Sequence, residues 1–384
     1  MSQPDPSLFP KFADGDVSIL ITNNKSYQLH SNVLRQNSDE LNRLLVEDQA
    51  ASITPKQKRE GRVLRYWLNL RRFDDDVGRF ELGDIKSSGY SFGFFEELEN
   101  GRARRNLHKH YNNLFGAYYN IHPEIDETNI ATVLEDSMGL IDVAERLGSM
   151  SVVSESIDIA LLRQGQVLFG SIANNAPAWS DLACRLKSPS IFSEVIIHLV
   201  GQWQSINEAD RAELNQSVRS LCERKFAELE IRKQATEVRM MGHYPNSLQR
   251  PEDPLPGRTT YSNDIYGWMS ICIFRHWYTQ CHLEKRGRTA KDGGAALYRQ
   301  VGAGGFVYLT RPDMHNFHRL FPMSGKGMRS LENTLLTYKE ELKPFVGYLL
   351  RHRSQLDVSK KPLGYLTCCD VTREDFPWIE NPTK

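Results

Sequence analysis

Cysteine and histidine are the side chains best suited to binding a metal ion or to nucleophilic chemistry, and the sequence groups them at one place. Cys272, His276, Cys281 and His282 lie within the stretch IYGWMSICIFRHWYTQCH. Cys272 and His276 share one face of a helix, but Cys281 falls off that face. Zinc sites usually take paired ligands from separate turns. We therefore expect no metal site and no cofactor here.

Two further groups of residues suggest chemistry on a first reading. Adjacent Cys368 and Cys369 rarely suit one tetrahedral site, and no Cys–His pair with a third orienting group is evident. Gly302, Gly304 and Gly305 lie in VGAGGFVYLT, but phosphate-binding loops follow a strand and open a helix. Here an apolar, strand-like run follows the glycines, so we predict a tight turn. We predict no catalytic residues and no enzyme, with a metal- or thiol-dependent enzyme in the helical half as the alternative.

Two basic stretches are the candidates for nucleic-acid binding, KQKREGR at 56–62 and RARRNLHKH at 102–110. Such stretches can hold single-stranded nucleic acid or act as an import signal. Both fall in an expected surface loop, and 48 Lys and Arg balance 48 Asp and Glu, so no global field attracts nucleic acid. We expect no nucleic-acid binding, and a nuclear, transcription-related regulator is the alternative.

The composition is typical of a globular protein, with 384 residues of which 40% are hydrophobic and 25% charged. The N-terminus lacks the basic start and apolar run of a secretory signal. The most apolar stretch, IYGWMSICIF, is too short to cross a bilayer. Six cysteines are too sparse for a disulfide framework, so we expect reduced thiols. We expect a protein of the cytoplasm, the nucleus or both, without a membrane partner.

The elements that position these residues begin with a hairpin, formed by DVSILIT and SYQLH on either side of the turn residues NNK. Ser31 and Ser38 are placed to cap two short helices that follow. An insertion then runs from about 48 to 110. It contains two predicted strands, at RVLRYWLNL and RFELGDI, and its remainder reads as a surface loop. A helical hairpin follows, with Thr128 as the first cap and Gly148 and Gly165 as the two stops.

The second half is helical. Apolar residues recur at three- and four-residue spacing in AWSDLACRL and SIFSEVIIHLVGQW, and one long helix is predicted from Asn207 to about Met241. The Pro-rich stretch at 243–263 reads as a linker or a surface strap. Three helical segments follow, and the first is apolar nearly all round, so we expect it at the centre of its domain. The predicted boundaries are 1–165, 166–242, 243–263 and 264–384.

The N-terminal pattern D-V-x-I, then aromatic-x-x-His-x-x-V-L-x-x-x-S, resembles the start of a BTB/POZ domain. The residues that carry this likeness are Asp16, Val17, Tyr27, His30, Val33, Leu34 and Ser38. LFGAYYNIHPEID resembles the helix and strand that precede the last helices of that family, and LIDVAERLGSMSV resembles its helical hairpin. The whole chain is similar to uncharacterised BTB-domain proteins of filamentous fungi.

The resemblance implies an α+β, mostly α fold, in which a BTB/POZ domain with a long insertion precedes an all-helical C-terminal domain. It also implies a non-enzymatic adaptor for protein partners, with recruitment to a cullin-type ligase as an extension. The apolar-x-Glu motif of cullin-3-binding members is absent where Ala50 and Ala51 stand, so cullin-3 binding lacks support. Dimeric members of that family carry an extra strand and helix before this motif, whereas about fifteen Pro-rich residues precede Asp16 here, so the resemblance leaves a swapped homodimer uncertain.

Protein contact in such an adaptor requires exposed apolar or aromatic anchors. The segment after the insertion offers four interaction candidates, Tyr118, Tyr119, Ile121 and His122. Ordinary core packing of the two tyrosines is an equal alternative.

Overall fold

The computed structural model describes residues 5–22, 25–53, 61, 63–71, 77–83, 98–99, 102–103, 107–245, 248 and 265–379. Its α-helices are α1 (Ser31–Asn37), α2 (Asp39–Leu44), α3 (Leu107–Tyr118), α4 (Ile130–Leu147), α5 (Met150–Arg163), α6 (Gln166–Asn174), α7 (Ala176–Leu186), α8 (Pro189–Gln202), α9 (Glu208–Glu213), α10 (Gln216–Gly242), α11 (Ile265–Leu283), α12 (Ala295–Ala303), α13 (His315–Leu320) and α14 (Gly325–Val346). Its strands are β1 (Val17–Thr22), β2 (Lys25–Leu29), β3 (Tyr66–Arg71), β4 (Arg79–Leu82), β5 (Leu98–Glu99) and β6 (Arg102–Ala103). The fold is α+β and mostly α, as predicted.

The chain divides into two compact units. One comprises Met1–Leu168 with Arg185–Lys187, and the other comprises Phe169–Cys184 with Ser188–Lys384. We call them the N-terminal unit and the helical unit. The four predicted domain ranges stay predictions.

The N-terminal unit contains a four-stranded sheet in the order β2-β1-β3-β4. Strand β1 pairs antiparallel with β2, where Ile19 faces Tyr27, and parallel with β3, where Ile19 faces Leu68. Val17, Ile19 and Ile21 are buried, which is the alternation expected of a strand with one core face. The predicted hairpin and the two predicted strands of the insertion are therefore confirmed.

The caps of α1 and α2 follow the prediction at one helix only. Ser38 Oγ accepts a hydrogen bond from Leu41 N at 3.1 Å and donates to Leu147 O at 2.7 Å, so the predicted cap of α2 is confirmed. The predicted cap of α1 is wrong. The Ser31 hydroxyl instead donates to Asp16 Oδ2 at 2.7 Å, and the Ser31 N–H donates to Asp16 Oδ1 at 2.6 Å.

The predicted loop at the end of the insertion is shorter than expected. Helix α3 begins at Leu107 and buries Tyr111 and Phe115, so the end of RARRNLHKH is helical. Within the insertion, β5 and β6 pair antiparallel over two residues each. The basic stretch KQKREGR lies outside the described residues except for Gly61. The long loop was expected because this stretch of sequence has no steady period.

The strand expected after α3 is wrong. Within the described residues 119–129 the backbone has no strand. The backbone of Glu124 is hydrogen-bonded to a side chain and not to a neighbouring strand. Asn113 Nδ2 donates to Glu124 O at 2.9 Å, and Asn113 Oδ1 accepts from Glu124 N at 3.1 Å. Asn129, and not Thr128, caps α4 through a hydrogen bond from Thr132 N.

The helices predicted at α7 and α8 are confirmed, but the long helix expected from Asn207 is divided in two. Helix α9 ends at Glu213, and α10 begins at Gln216. Asn215 Oδ1 accepts from Ser217 N at 3.0 Å, so a new cap interrupts the apolar seam between them. The Pro-rich stretch lies mostly outside the described residues.

Helix α11 is buried on one face only. Ile271, Phe274 and Tyr278 are buried, whereas Ile265 and Cys272 are exposed. The expectation of a helix buried all round is therefore wrong. Among the described residues, no helix combines the length and apolarity that a bilayer crossing needs.

Candidate interaction surface

The structure places two of the four predicted interaction residues in the core. Tyr118 and Tyr119 are 6% and 4% exposed. The Tyr118 hydroxyl lies 2.6 Å from Ser149 Oγ, and the Tyr119 hydroxyl accepts from His30 N at 3.0 Å. Both tyrosines therefore follow the core-packing alternative. Ile121 is half-buried and His122 is exposed, and partner binding by this segment stays a prediction.

The cysteine and histidine residues do not converge. Cys272 is exposed and Cys281 is buried on the same helix. Across the described parts of the chain, no group of three or more His, Cys, Asp or Glu side chains is placed to hold a metal ion. Burial raises the pKa of Cys368 to about 11 and that of Cys369 to about 12. At neutral pH both thiols are protonated and weakly nucleophilic.

A buried polar cluster that sequence reasoning missed lies in the helical unit. Glu194 and His198 are one helical turn apart on α8, and His198 Nε2 lies 2.9 Å from Glu194 Oε1. Ser354, far along the chain, lies 3.3 Å from His198 Nε2, and its hydroxyl also bonds Glu194 Oε1. All three are buried. We call this group the Glu194–His198–Ser354 cluster.

The residue types match those of a hydrolytic triad, but the geometry does not. In a triad the serine and the acid occupy different nitrogens of the histidine. Here both contact the Nε2 side, and His198 Nδ1 is 2.8 Å from the Tyr365 hydroxyl. Because Nε2–H donates to the carboxylate, it is not available to remove the Ser354 proton. The cluster therefore joins α8 to the segment after α14.

The carboxylate of the cluster is held in its charged form. Burial raises the pKa of Glu194, but hydrogen bonds from His198, from Ser354 and from the Gln355 N–H outweigh burial and place the pKa below its ordinary 4.5. The Gln355 N–H donates to Oε2 at 2.8 Å. Both carboxylate oxygens are therefore occupied. The Glu-x-x-x-His spacing on one helix face was a visible signal, but nothing local to it points to Ser354.

A different region of the helical unit displays apolar side chains to solvent. It begins after α12, where Gly304 and Gly305 have φ of 62° and 53°. The predicted tight turn is therefore confirmed. The strand-like run expected after it is wrong, because Lys339 Nζ donates to Gly305 O at 2.5 Å and to Tyr308 O at 2.7 Å, which curls the chain.

Three further contacts fix this turn. Gly305 N donates to Glu340 Oε1 at 3.1 Å. The Tyr308 ring stacks on Trp277 with 4.5 Å between ring centroids. Lys339 Nζ is 5.0 Å from the centroid of the Tyr308 ring, a cation–π contact. Burial lowers the pKa of Lys339. The turn is thus fixed from α11 and α14 together.

Four large apolar side chains are exposed on or after this fixed turn. Their exposed fractions are 81% for Phe306, 56% for Val307, 69% for Leu320 and 59% for Phe321. We call residues 306–321 the 306–321 segment. In the middle of this segment, the N–H and the hydroxyl of Thr310 donate hydrogen bonds to Asp313 Oδ2 at 2.7 and 2.9 Å.

The charges near the segment are mainly basic. Arg311 pairs with Glu332 at 3.3 Å. Within the described residues, Arg319 and Lys326 are exposed and have no carboxylate at ion-pair distance. Exposed apolar side chains beside basic side chains without an acidic partner are typical of surfaces that contact other proteins.

Comparison with known families matches residues 245–348 to an FF domain. The match contains α11 to α14 and the whole 306–321 segment. FF domains are protein-interaction modules. No curated protein matches the chain.

The comparison also corrects the BTB/POZ resemblance. The family that is found is the FF domain, which is a different family, so that identification was wrong. The N-terminal pattern specifies a hairpin and two short helices, and these do form, but such local elements occur in many folds. The strand expected from the same resemblance after α3 is missing as well. The expectation of cullin recruitment rested on that resemblance and therefore has no support.

Proposed function

We propose that the protein is a non-enzymatic interaction adaptor whose helical unit binds a partner protein through the 306–321 segment. The observation that carries this proposal is Phe306, which is 81% exposed on a turn fixed by Lys339. The FF-domain match over 245–348 supports it, because that match contains the segment.

The energetic argument concerns the cost of ordering. A flexible loop loses conformational entropy when a partner binds, and this loss reduces affinity. The turn that carries Phe306 and Val307 is already ordered by hydrogen bonds from Lys339 and to Glu340. An aromatic side chain on an ordered backbone is the usual form of a binding hot spot. The basic groups Arg319 and Lys326 favour a partner surface that combines apolar and acidic side chains.

The test compares two double variants of the full chain. Phe306→Ser with Leu320→Ser removes two exposed apolar groups from the segment. Ile231→Ser with Val238→Ser removes two groups of similar exposure, 67% and 65%, from α10. Proteins that co-purify from native cells with the unmodified chain are identified, and the affinity of each is measured with purified components.

We expect the segment variant to lose at least about tenfold in affinity for a direct partner, since hot-spot truncation costs about 2 kcal/mol or more. The α10 variant should bind like the unmodified chain. Circular dichroism should show both variants folded, because all four side chains are exposed. Equal affinity of both variants for every direct partner would contradict the proposal.

A further inference from the structure

A pocket of about 350 Å³ lies within the helical unit, and none of its lining residues belongs to the 306–321 segment. It is formed by the C-terminal end of α12, the residues just after α14 and the chain from 358 to 367. Its apolar wall consists of Leu349, Leu350, Val358, Pro362, Leu363 and Leu366. A Cβ at Gly302 would lie 2.2 Å from Leu350 Cδ1, so glycine is what allows Leu350 to form part of the wall.

The irregular wall of the pocket is fixed by hydrogen bonds. Arg299 donates to Leu363 O at 2.7 Å and to Tyr365 O at 2.6 Å. His352 Nε2 donates to Leu356 O at 2.8 Å, and its Nδ1 is hydrogen-bonded to Thr367 Oγ1 at 2.8 Å. The wall is therefore formed before any ligand enters, as in most small-molecule sites.

The charged side chains that line the pocket are all basic. Arg299 and Arg351 both line it, and no acidic side chain does among the described residues. Within the described residues, neither arginine has a carboxylate at ion-pair distance. The Arg351 guanidinium instead lies 5.4 Å from the centroid of the Tyr348 ring. The pocket thus combines an aliphatic wall with uncompensated positive charge.

We propose that this pocket binds a small aliphatic monocarboxylate, such as a medium-chain fatty acid. The carboxylate lies against Arg351 and the alkyl chain lies along the leucine wall. The volume is near the lower end of the range for ligand sites, about 300–1,000 Å³, which favours a short chain. Apart from His352, no aromatic ring is among the described residues of the lining, which favours an alkyl chain over a planar ring. This function is additional to partner binding and does not depend on it.

The test is isothermal titration calorimetry of octanoate into the full chain. We expect one site, and several-fold weaker binding of octan-1-ol, which keeps the chain and lacks the charge. Arg351→Gln should weaken octanoate binding about two- to fivefold, the range of a partly exposed ion pair. Arg319→Gln is the matched control, because Arg319 is exposed, lacks a carboxylate partner among the described residues and lies outside the pocket lining.

Two variants fill the pocket from different parts of its lining. Ala303→Leu acts from α12 and Val358→Phe from the chain after α14, and both positions are exposed. Octanoate binding should be lost in each, whereas Ala296→Leu, at an exposed position of α12 outside the lining, should bind normally. Absence of octanoate binding by the unmodified chain would overturn the proposal. Undiminished binding by both folded filling variants, or equal affinity for octanol and octanoate, would also overturn it.

Discussion

The Glu194–His198–Ser354 cluster and the 306–321 segment use their side chains in opposite ways. The cluster has residue types that can do chemistry, but it is buried and its carboxylate oxygens and histidine nitrogens are all occupied. The segment has little reactive chemistry, yet Phe306 and Leu320 face solvent on a fixed backbone. Residue type alone therefore does not identify a functional site. Whether a group of residues stabilises the fold or contacts a partner depends on its exposure and on whether its polar groups are already hydrogen-bonded inside the protein.

The largest expected effect comes from breaking the cluster. Glu194→Ala removes the shared acceptor and leaves the Gln355 N–H, Ser354 and His198 without it in a buried site. Because a buried donor left without its acceptor costs about 1–3 kcal/mol, the loss at three donors should reach about 3 kcal/mol or more. We expect the free energy of unfolding, measured in urea, to fall by about that amount.

Glu213→Ala is the matched control for this change. Glu213 is exposed at the end of α9, so its replacement should alter the free energy of unfolding by less than about 0.5 kcal/mol. If Glu194→Ala cost as little as Glu213→Ala, the cluster would not be structural. The contrast with the exposed segment would then disappear.

The charge of Glu194 gives the next effect, as a pH dependence. Its pKa in the folded state is below the ordinary 4.5, so folding favours the charged carboxylate. The resulting stability is fully present above pH 4.5 and is lost as pH falls through the lower folded value, at about 1.4 kcal/mol per unit of pKa difference. The difference in unfolding free energy between the unmodified chain and Glu194→Gln should therefore shrink from pH 7 to pH 3. A constant difference would show that Glu194 acts without its charge.

The sequence predicted most local elements of both units and few of their long-range contacts. The hairpin, α8 and the turn at Gly304 and Gly305 follow from period, caps and glycine conformation, all of which depend on nearby residues. The Ser31 cap failed because Asp16, which directly precedes β1, accepts the hydrogen bond of the hydroxyl. Tertiary contacts therefore override local propensity at such positions.

The candidate site itself could be predicted only in part. The glycine turn was predicted, but the contacts that expose Phe306 come from Lys339 and Trp277, on other helices. The BTB/POZ identification failed for a related reason. Its residues, such as Asp16 and Ser38, define a short local arrangement, whereas a family is defined by how the whole domain is arranged.

The smallest global effect should come from weakening the support of the 306–321 segment. Lys339→Met removes the bonds to Gly305 O and Tyr308 O, each worth about 1.5–3 kcal/mol as a charge-assisted bond. It also removes the cost of burying an ammonium group, the same cost that lowers the Lys339 pKa. Because these contributions oppose each other, the free energy of unfolding should change by less than about 1 kcal/mol.

The local effect of Lys339→Met should exceed the global one. Without the ammonium group, the carbonyls of Gly305 and Tyr308 lose their donor, so amide hydrogen exchange at 304–308 should become faster in the native state. Lys326→Met, at an exposed position of the same helix, is the control and should leave that exchange unchanged. Partner affinity should fall with the loss of order even though Phe306 is intact, because the segment must then be ordered on binding. Unchanged exchange and affinity in Lys339→Met would mean that the exposed side chains, and not the fixed turn beneath them, are what a partner requires.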